Sequence, residues 1–171
     1  MYKIIQPDKE TNYDEKISPA ENVITIFLAG SIEMGKAAKW QEKIAQKIYD
    51  SLVKQKGDLE MPTLVFYNPR REQNFTPEME KEQIDWEQFR LLQADYIFMY
   101  IQPDTKSPIS LLEFGEFIDT GKLYACCTPE FYRYQNLAIT AKYHDQVIYH
   151  NIADAIKDLI DDIVYRLMTG Y

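Results

Sequence analysis

Four short apolar runs, separated by longer segments that are not continuously apolar, constrain the fold of this chain most strongly. The runs span residues 23–29, 63–67, 96–101 and 123–127. Between residues 36 and 53 the apolar side chains recur every three to four positions, which is the spacing of a helix packed on one side. Apolar strands that alternate with helices indicate a parallel sheet covered on both faces. The predicted fold class is therefore α/β, in three layers.

The remaining elements follow from the same patterns. Helices are predicted over 77–93, from Ser107-Pro108 onwards, and over 137–143 and 153–168. Proline in the first helical position after a serine cap is a common helix start. Short strands are predicted at 147–149 and near 3–6, the second of them within an otherwise irregular arm. The sheet should therefore contain roughly five parallel strands.

Length and charge limit the number of domains and the class of partner. A chain of 171 residues with 46% hydrophobic content suits one core, so we expect an irregular arm at 1–22 and a single domain at 23–171. The net charge of −8 opposes binding to a nucleic acid polymer, which depends on Lys and Arg. We expect a small-molecule partner instead.

The sequence also gives expectations about location and cofactors. It begins without an apolar run long enough for a signal peptide and contains no stretch of about 18 apolar residues, so we expect a cytoplasmic protein with no membrane partner. Cys126 and Cys127 are adjacent in a predicted strand, where they point to opposite faces and stay reduced. His144 and His150 are too few and too isolated for a metal site. We expect no metal and no cofactor.

Asp85 is the first of two carboxylates in unusual positions. At 100° per residue, Asp85 and Gln88 fall on the apolar stripe of the 77–93 helix, whereas Glu87 and Arg90 fall on the opposite, solvated side. The stripe consists of Ile84, Phe89, Leu91 and Leu92. A buried carboxylate is costly unless a polar group meets it. Asp85 is thus a candidate cleft residue with Gln88 beside it, and an internal cap or ion pair is the alternative.

Glu113 is the second of these carboxylates, in the helix after the run 96–101. Ligands of open α/β sheets bind beyond the carboxyl ends of the strands, where this helix begins. Periodicity places Glu113 at the flank of the apolar stripe together with Glu116, but Glu116 lies roughly 4.5 Å further from the helix start. The positive end of the helix favours an ionised Glu113, which suits a nucleophile. A solvated helix face is the alternative.

Other polar residues fit a sugar or an anion near the same edge. Gly30 and Ser31 end the first long strand, and Ser107 begins a helix, so they are candidates for binding hydroxyls or a phosphate. Asn68 and Arg71 follow the second strand and are candidates for the rim. An ordinary N-cap for Ser107 and a solvated Arg71 are the alternatives. Paired carboxylates in different environments are the usual equipment for cleaving a glycosidic bond.

Six segments, in this order, resemble the nucleoside 2-deoxyribosyltransferase superfamily, in its branch of short deoxyribosyltransferase-like proteins. They are residues 26–31, 66–71, 83–87, 94–98, 108–115 and 134–137. The resemblance implies a flavodoxin-like sheet, N-glycosidic chemistry on a nucleoside or nucleotide, and a homo-oligomer.

The resemblance also assigns roles to particular residues. Glu113 matches the nucleophile that attacks C1′ of a 2′-deoxyribose, and Asp85 matches the acid that serves the nucleobase. Asn136 matches a residue that neighbouring subunits lend to each other's sites. Members of the superfamily often end in an aromatic residue whose carboxylate enters the adjoining site, and this chain ends in Tyr171.

One departure from the pattern concerns the substrate. Transferases of the superfamily carry Asp at the position of Ser107, whereas related hydrolases of deoxynucleoside 5′-monophosphates carry Ser there and a Gly-Ser-Ile segment like that at 30–32. Those hydrolases bind the phosphate with this Ser and with the Gly-Ser-Ile segment. The fuller Gly- and Arg-rich phosphate loop that they carry is missing after Gly30. The leading hypothesis is cleavage or transfer of the N-glycosidic bond of 2′-deoxynucleosides through a covalent deoxyribosyl-Glu113. The alternatives are a 5′-monophosphate N-glycosidase and a non-catalytic nucleotide-binding module.

Overall fold

The computed structural model describes residues 1–7, 22–32, 37–71 and 76–170. The described residues form six strands and five α-helices, which alternate after the second strand. In chain order they are β1 (Tyr2–Ile5), β2 (Val23–Gly30), α1 (Gln41–Gln55), β3 (Thr63–Tyr67), α2 (Glu80–Gln93), β4 (Tyr96–Ile101), α3 (Pro108–Phe117), β5 (Leu123–Cys127), α4 (Tyr134–Tyr143), β6 (Ile148–Tyr149) and α5 (Ile152–Thr169). No helix among these residues is long and apolar enough to cross a bilayer.

All pairings in the sheet are parallel, and the strand order is β1-β3-β2-β4-β5-β6. Strands β2 to β6 thus follow the flavodoxin-like order 2-1-3-4-5, which confirms the predicted α/β class. The sheet has six strands rather than about five because β1 pairs with β3 and extends that edge. The predicted arm therefore contains one strand of the sheet. Residues 8–21 of that arm lie outside the described residues, and the boundary at 22/23 stays a prediction.

The sheet separates two apolar cores. Ile26 and Leu28 of β2 pack on the side of α1 and α5, whereas Phe27 and Ala29 pack on the side of α2, α3 and α4. The central strands are buried on both faces, which explains why their sequences are apolar almost throughout. Cys126 and Cys127 are free thiols that lie in opposite cores, as predicted.

The ends of β2 and β4 define the point where the chain changes face. The connection after β2 leads to α1 on one side of the sheet, and the connection after β4 leads to α3 on the other. Gly30 has φ +128°, and a Cβ there would lie 2.1 Å from the carbonyl oxygen of Tyr100. The next residue, Ser31, donates its backbone N–H to that same oxygen at 3.0 Å. Only glycine fits this contact, and a cleft at such a point is the usual ligand site of the fold.

We therefore predict that Gly30→Ala destabilises the protein by more than about 4 kcal/mol, because the new methyl group overlaps backbone that cannot move aside. Urea unfolding measures the difference. Gly121→Ala is the matched control, since Gly121 also has a positive φ of +71° but has nothing within 4 Å of its added Cβ. That control should cost only about 1–2 kcal/mol. Equal costs for the two variants would contradict the close contact.

Candidate active site

Three buried hydroxyls meet at the carboxyl ends of β2 and β4. The Oγ of Ser31 lies 2.8 Å from Oγ1 of Thr105 and 2.7 Å from Oγ of Ser107, and the latter two oxygens are 2.8 Å apart. The backbone N–H of Gln102 also donates to Ser31 Oγ at 2.8 Å. We call Ser31, Thr105 and Ser107 the hydroxyl cluster. It joins the segment after β2 to the segment that leads into α3.

The hydroxyls of the cluster are hydrogen-bonded to one another and to the backbone. Thr105 donates to the carbonyl oxygen of Gln102 at 2.8 Å, and each pair of hydroxyl oxygens in the cluster lies within hydrogen-bond distance. A hydroxyl has one proton to donate and two lone pairs to accept with. An incoming acceptor would therefore compete with these contacts for the hydroxyl protons.

The hydroxyl cluster also fixes where α3 begins. Ser107 adopts a left-handed backbone conformation, with φ 44° and ψ 49°, and Pro108 is the first helical residue. A left-handed conformation is uncommon for a residue other than glycine, and it requires surrounding interactions to hold it. Because Ser107 is held by its hydroxyl partners, α3 leaves the sheet in a defined direction. Glu113 then lies in the second turn, facing inward.

Glu113 is buried, with 6% of its surface exposed. Its burial, followed by the negative charges of Glu87 and Glu116, raises its pKa to about 8. The predicted preference for an ionised Glu113 is wrong for the unliganded protein. The favourable effect of a helix start fades within the first turn, whereas loss of hydration acts on the whole carboxyl group. The buried carboxyl group of Glu113 is thus neutral at pH 7.

The face of α2 that packs on the sheet is rotated from the predicted one: Leu91 of the predicted stripe is buried, but two other members of it are not. Ile84 and Leu92 are 50% and 66% exposed, and the side chain of Asp85 is 47% exposed and paired with Lys81. The expected burial of Asp85 is therefore wrong. Its role as an acid stays an untested prediction.

Aromatic and guanidinium contacts account for the rotation. Trp86 packs 6.1 Å from the ring of Phe27, and the guanidinium of Arg90 lies 4.8 Å above the ring of Tyr67. Trp86 and Arg90 are both fully buried. Stacking of a large ring and a cation on aromatic residues outweighs the burial of two smaller aliphatic side chains. The side chain of Glu87, which follows Trp86 in the sequence, points toward the protein interior together with those of Trp86 and Arg90.

Glu87 belongs to a hydrogen-bonded chain that also includes Arg71. The amide Nε2 of Gln83 donates to Glu87 Oε1 at 2.7 Å and to the carbonyl oxygen of Pro69 at 2.8 Å. Arg71 Nε donates to Gln83 Oε1 at 2.6 Å. Burial raises the pKa of Glu87, while the hydrogen bond from Gln83 and the charge of Arg71 act in the opposite direction. Glu87 is thus the carboxyl group of α2 whose negative charge raises the pKa of Glu113.

The structure gives the other predicted site residues different surroundings. Asn68 is buried and accepts a hydrogen bond from the backbone N–H of Arg70 at 3.1 Å, so it shapes the turn after β3. The side chain of Arg71 reaches α2, where it also pairs with Glu82 at 2.9 Å. Gln88 lies at the α2–α3 contact, 3.5 Å from a carboxylate oxygen of Glu116.

Asn136 does not meet Glu113 within this chain. It is exposed at the start of α4 and lines an open groove of about 340 Å³ between α3 and α4, and Glu113 is not among the lining residues. Tyr171 lies outside the described residues. The structure therefore brings together Gly30, Ser31 and Ser107, and it leaves Asn136 on the outer surface.

Three residues of the site were missed from the sequence: Glu87, Gln83 and Thr105. Centring the helical projection of α2 on Trp86, its largest side chain, would have placed Gln83, Glu87 and Arg90 toward the protein. For Thr105 the sequence contains no comparable signal, since its contact with Ser31 spans 74 positions. In the described part of the chain, no group of His, Cys, Asp and Glu side chains could hold a metal ion.

The comparisons with known proteins agree with this geometry. The model of the family described as nucleoside 2-deoxyribosyltransferase like matches residues 23–131, which is more than half of the chain. The chain belongs to this nucleoside 2-deoxyribosyltransferase-like family. No curated protein matches it. The part of this family member that matches includes β2 to β5, α2 and α3, and thus the hydroxyl cluster, Glu87 and Glu113.

The raised pKa of Glu113 predicts how stability depends on pH. The folded-state pKa of about 8 lies above the ordinary value of 4.5, so the folded form binds the proton more tightly than the unfolded form. This group then costs the folded protein about 1.4 kcal/mol for each pH unit between those two values. Glu113→Gln removes that cost. Its unfolding free energy should exceed that of the unmodified protein by an amount that grows from pH 4.5 to pH 8.

Denaturant unfolding at several pH values measures this difference. At pH 4.5 and below, both proteins carry a neutral side chain at position 113, which makes the low-pH comparison an internal control. A difference that stays constant across the range would show that Glu113 ionises freely in the folded protein.

Proposed function

We propose that this protein cleaves or transfers the N-glycosidic bond of 2′-deoxynucleosides, with Glu113 as the nucleophile. The observation that carries the proposal is the pair of carboxyl groups from α2 and α3, in which Glu87 acts on a Glu113 that is buried beside the ligand-binding edge of the sheet. Membership of the nucleoside 2-deoxyribosyltransferase-like family supports it. Two carboxyl groups with different environments provide the nucleophile and the proton donor of glycosidic cleavage.

In the first step, the Glu113 carboxylate attacks C1′ as the bond from C1′ to the base nitrogen breaks. The bonding electrons leave with the base, and Glu87 delivers a proton to a ring nitrogen. A protonated base departs more readily, and the developing positive charge on the sugar is stabilised by the carboxylate. The product is a deoxyribosyl ester of Glu113 together with the free base.

In the second step, water or a second nucleobase attacks C1′ of the ester. The electrons of the C1′–oxygen bond return to Glu113, and Glu87 accepts the proton that the attacking group loses. Water gives free deoxyribose, whereas a second base gives a new deoxynucleoside. Both outcomes use the same two carboxyl groups.

We propose Glu87 rather than Asp85 as the proton donor. Glu87 lies within the electrostatic range of Glu113, while Asp85 is half-exposed and paired with Lys81.

The state of the hydroxyl cluster favours a substrate without a 5′-phosphate. Phosphate oxygens at neutral pH mainly accept hydrogen bonds, and the hydroxyls of Ser31, Thr105 and Ser107 already bind one another and the carbonyl oxygen of Gln102, so a phosphate would compete with these contacts. The 5′-monophosphate N-glycosidase remains the second candidate, because these two serines occupy the positions that suggested it. The non-catalytic nucleotide-binding module is the third.

We also propose that the protein is a cytoplasmic homo-oligomer in which Asn136 serves a neighbouring subunit. Asn136 is exposed and lines a groove separate from Glu113, so it cannot act on the site of its own chain in this arrangement. Ile109 and Leu112, on the same helix as part of the groove's lining, are 59% and 65% exposed, which suits burial against a second copy.

Incubation with deoxyinosine and adenine, followed by chromatography, tests the function. We expect release of hypoxanthine, with deoxyadenosine formed if a base is the acceptor. Deoxyinosine 5′-monophosphate, assayed in parallel, should react more slowly. Reaction of the monophosphate alone would favour the second candidate. Absence of base release from every common deoxynucleoside and its monophosphate would contradict an enzymatic function.

Substitutions test whether Glu113 is the nucleophile and which carboxyl group of α2, Glu87 or Asp85, is the proton donor. Glu113→Gln should abolish base release because the amide cannot form the ester. Glu87→Gln should lower kcat about 10²- to 10⁴-fold, which is the usual contribution of a positioned acid. Asp85→Asn is the matched comparison on the same helix and should retain activity within about fivefold. A larger loss for Asp85→Asn than for Glu87→Gln would return the acid role to Asp85.

A further inference from the structure

Gln83 is held in a single orientation by two neighbours of fixed hydrogen-bonding character. Arg71 can only donate, so the side-chain oxygen of Gln83 must face it, at 2.6 Å. The carbonyl oxygen of Pro69 can only accept, so the amide nitrogen must face it, at 2.8 Å. The second N–H of that nitrogen therefore points at Glu87 Oε1, 2.7 Å away.

This arrangement makes Glu87 a hydrogen-bond acceptor at one oxygen. A protonated oxygen at that position would leave the Gln83 N–H facing a poorer acceptor, so the contact favours the ionised form. Burial has the largest effect on the pKa of Glu87 and raises it, while the hydrogen bond from Gln83 and the charge of Arg71, from the segment after β3, lower it. The negative charges of Glu87 and Glu116 in turn raise the pKa of Glu113. Arg71 favours an ionised Glu87, while the carboxylates oppose a second negative charge.

We propose that Gln83 is a positioning residue that orients Glu87 and keeps it ionised, so that in the free protein the proton of the pair rests on Glu113. When a substrate binds, Glu113 releases this proton and Glu87 takes one up, which it then gives to the departing base. Glu113 becomes the carboxylate that attacks C1′, and no additional proton donor is needed. The catalytic consequence rests on the proposed function, but the order of protonation in the free protein does not.

A titration of the free protein tests the order directly. Glutamate labelled with ¹³C at the side-chain carboxyl reports each ionisation by NMR, and Glu87→Gln and Glu113→Gln assign the two signals. We expect Glu87 to ionise at a lower pH than Glu113. In Gln83→Met, which removes the donor but keeps an unbranched helix-forming side chain, the midpoint of Glu87 should rise by about one pH unit or more.

Gln46→Met is the matched control, because Gln46 lies on α1 on the other face of the sheet and bonds Tyr2 and Asp50. It should leave the midpoint of Glu87 unchanged. Gln83→Glu serves as a second variant if Gln83→Met does not fold. It also removes the donor and adds a negative charge next to Glu87, so the midpoint should again rise.

The outcomes separate this inference from the proposed function. A midpoint for Glu87 that moves by less than about 0.3 pH unit in the Gln83 variants, or that lies above the midpoint of Glu113 in the unmodified protein, would overturn the positioning role. Either result would leave base release by the unmodified protein untouched. If the protein is active, the rising limb of its kcat/KM–pH profile, which reports ionisations of the free enzyme, should shift upward with the Glu87 midpoint in Gln83→Met. A lower rate without that shift would indicate a merely structural role.

Discussion

The contact between the ends of β2 and β4 determines the geometry of the whole site. Gly30 allows the two backbones to meet, and Ser31 then bonds both the carbonyl oxygen of Tyr100 and the hydroxyls of Thr105 and Ser107. This chain of contacts gives α3 its starting point and direction. The buried position of Glu113 in the second turn of α3 follows from it, although the segments after β2 and before α3 are more than 70 residues apart along the chain.

Burial of the carboxyl pair costs stability, and the structure offsets only part of that cost. Glu87 receives a donor from Gln83 and the charge of Arg71, but Glu113 has the unfavourable environment that raises its pKa to about 8. A protein that needed only stability would place an apolar side chain at position 113. A buried carboxyl group of raised pKa on the helix that follows β4 is the physical reason for proposing chemistry there.

The sequence allowed prediction of the sheet more accurately than of the site. The limits of β3, β4 and β5 were predicted residue for residue, because strands buried on both faces have continuous apolar sequences. The orientation of α2 was not, since Ile84 and Leu92 form a stripe that the packing of Trp86 and Arg90 overrides. The pKa of Glu113 also required the fold, because the carboxyl groups that act on it come from two helices. The placement of Asn136 relative to a second subunit is a property that one chain cannot determine.

The most direct test of the account is to identify the residue that carries the sugar. A 2′-deoxynucleoside analogue with fluorine at C2′ slows the second step, because the electron-withdrawing fluorine destabilises the positive charge on the sugar. Proteolysis and mass spectrometry after incubation should then find the fluorinated sugar on the peptide that contains Glu113, and no adduct in Glu113→Gln. An adduct on another residue, or base release from the analogue by Glu113→Gln at the unmodified rate, would contradict the central claim.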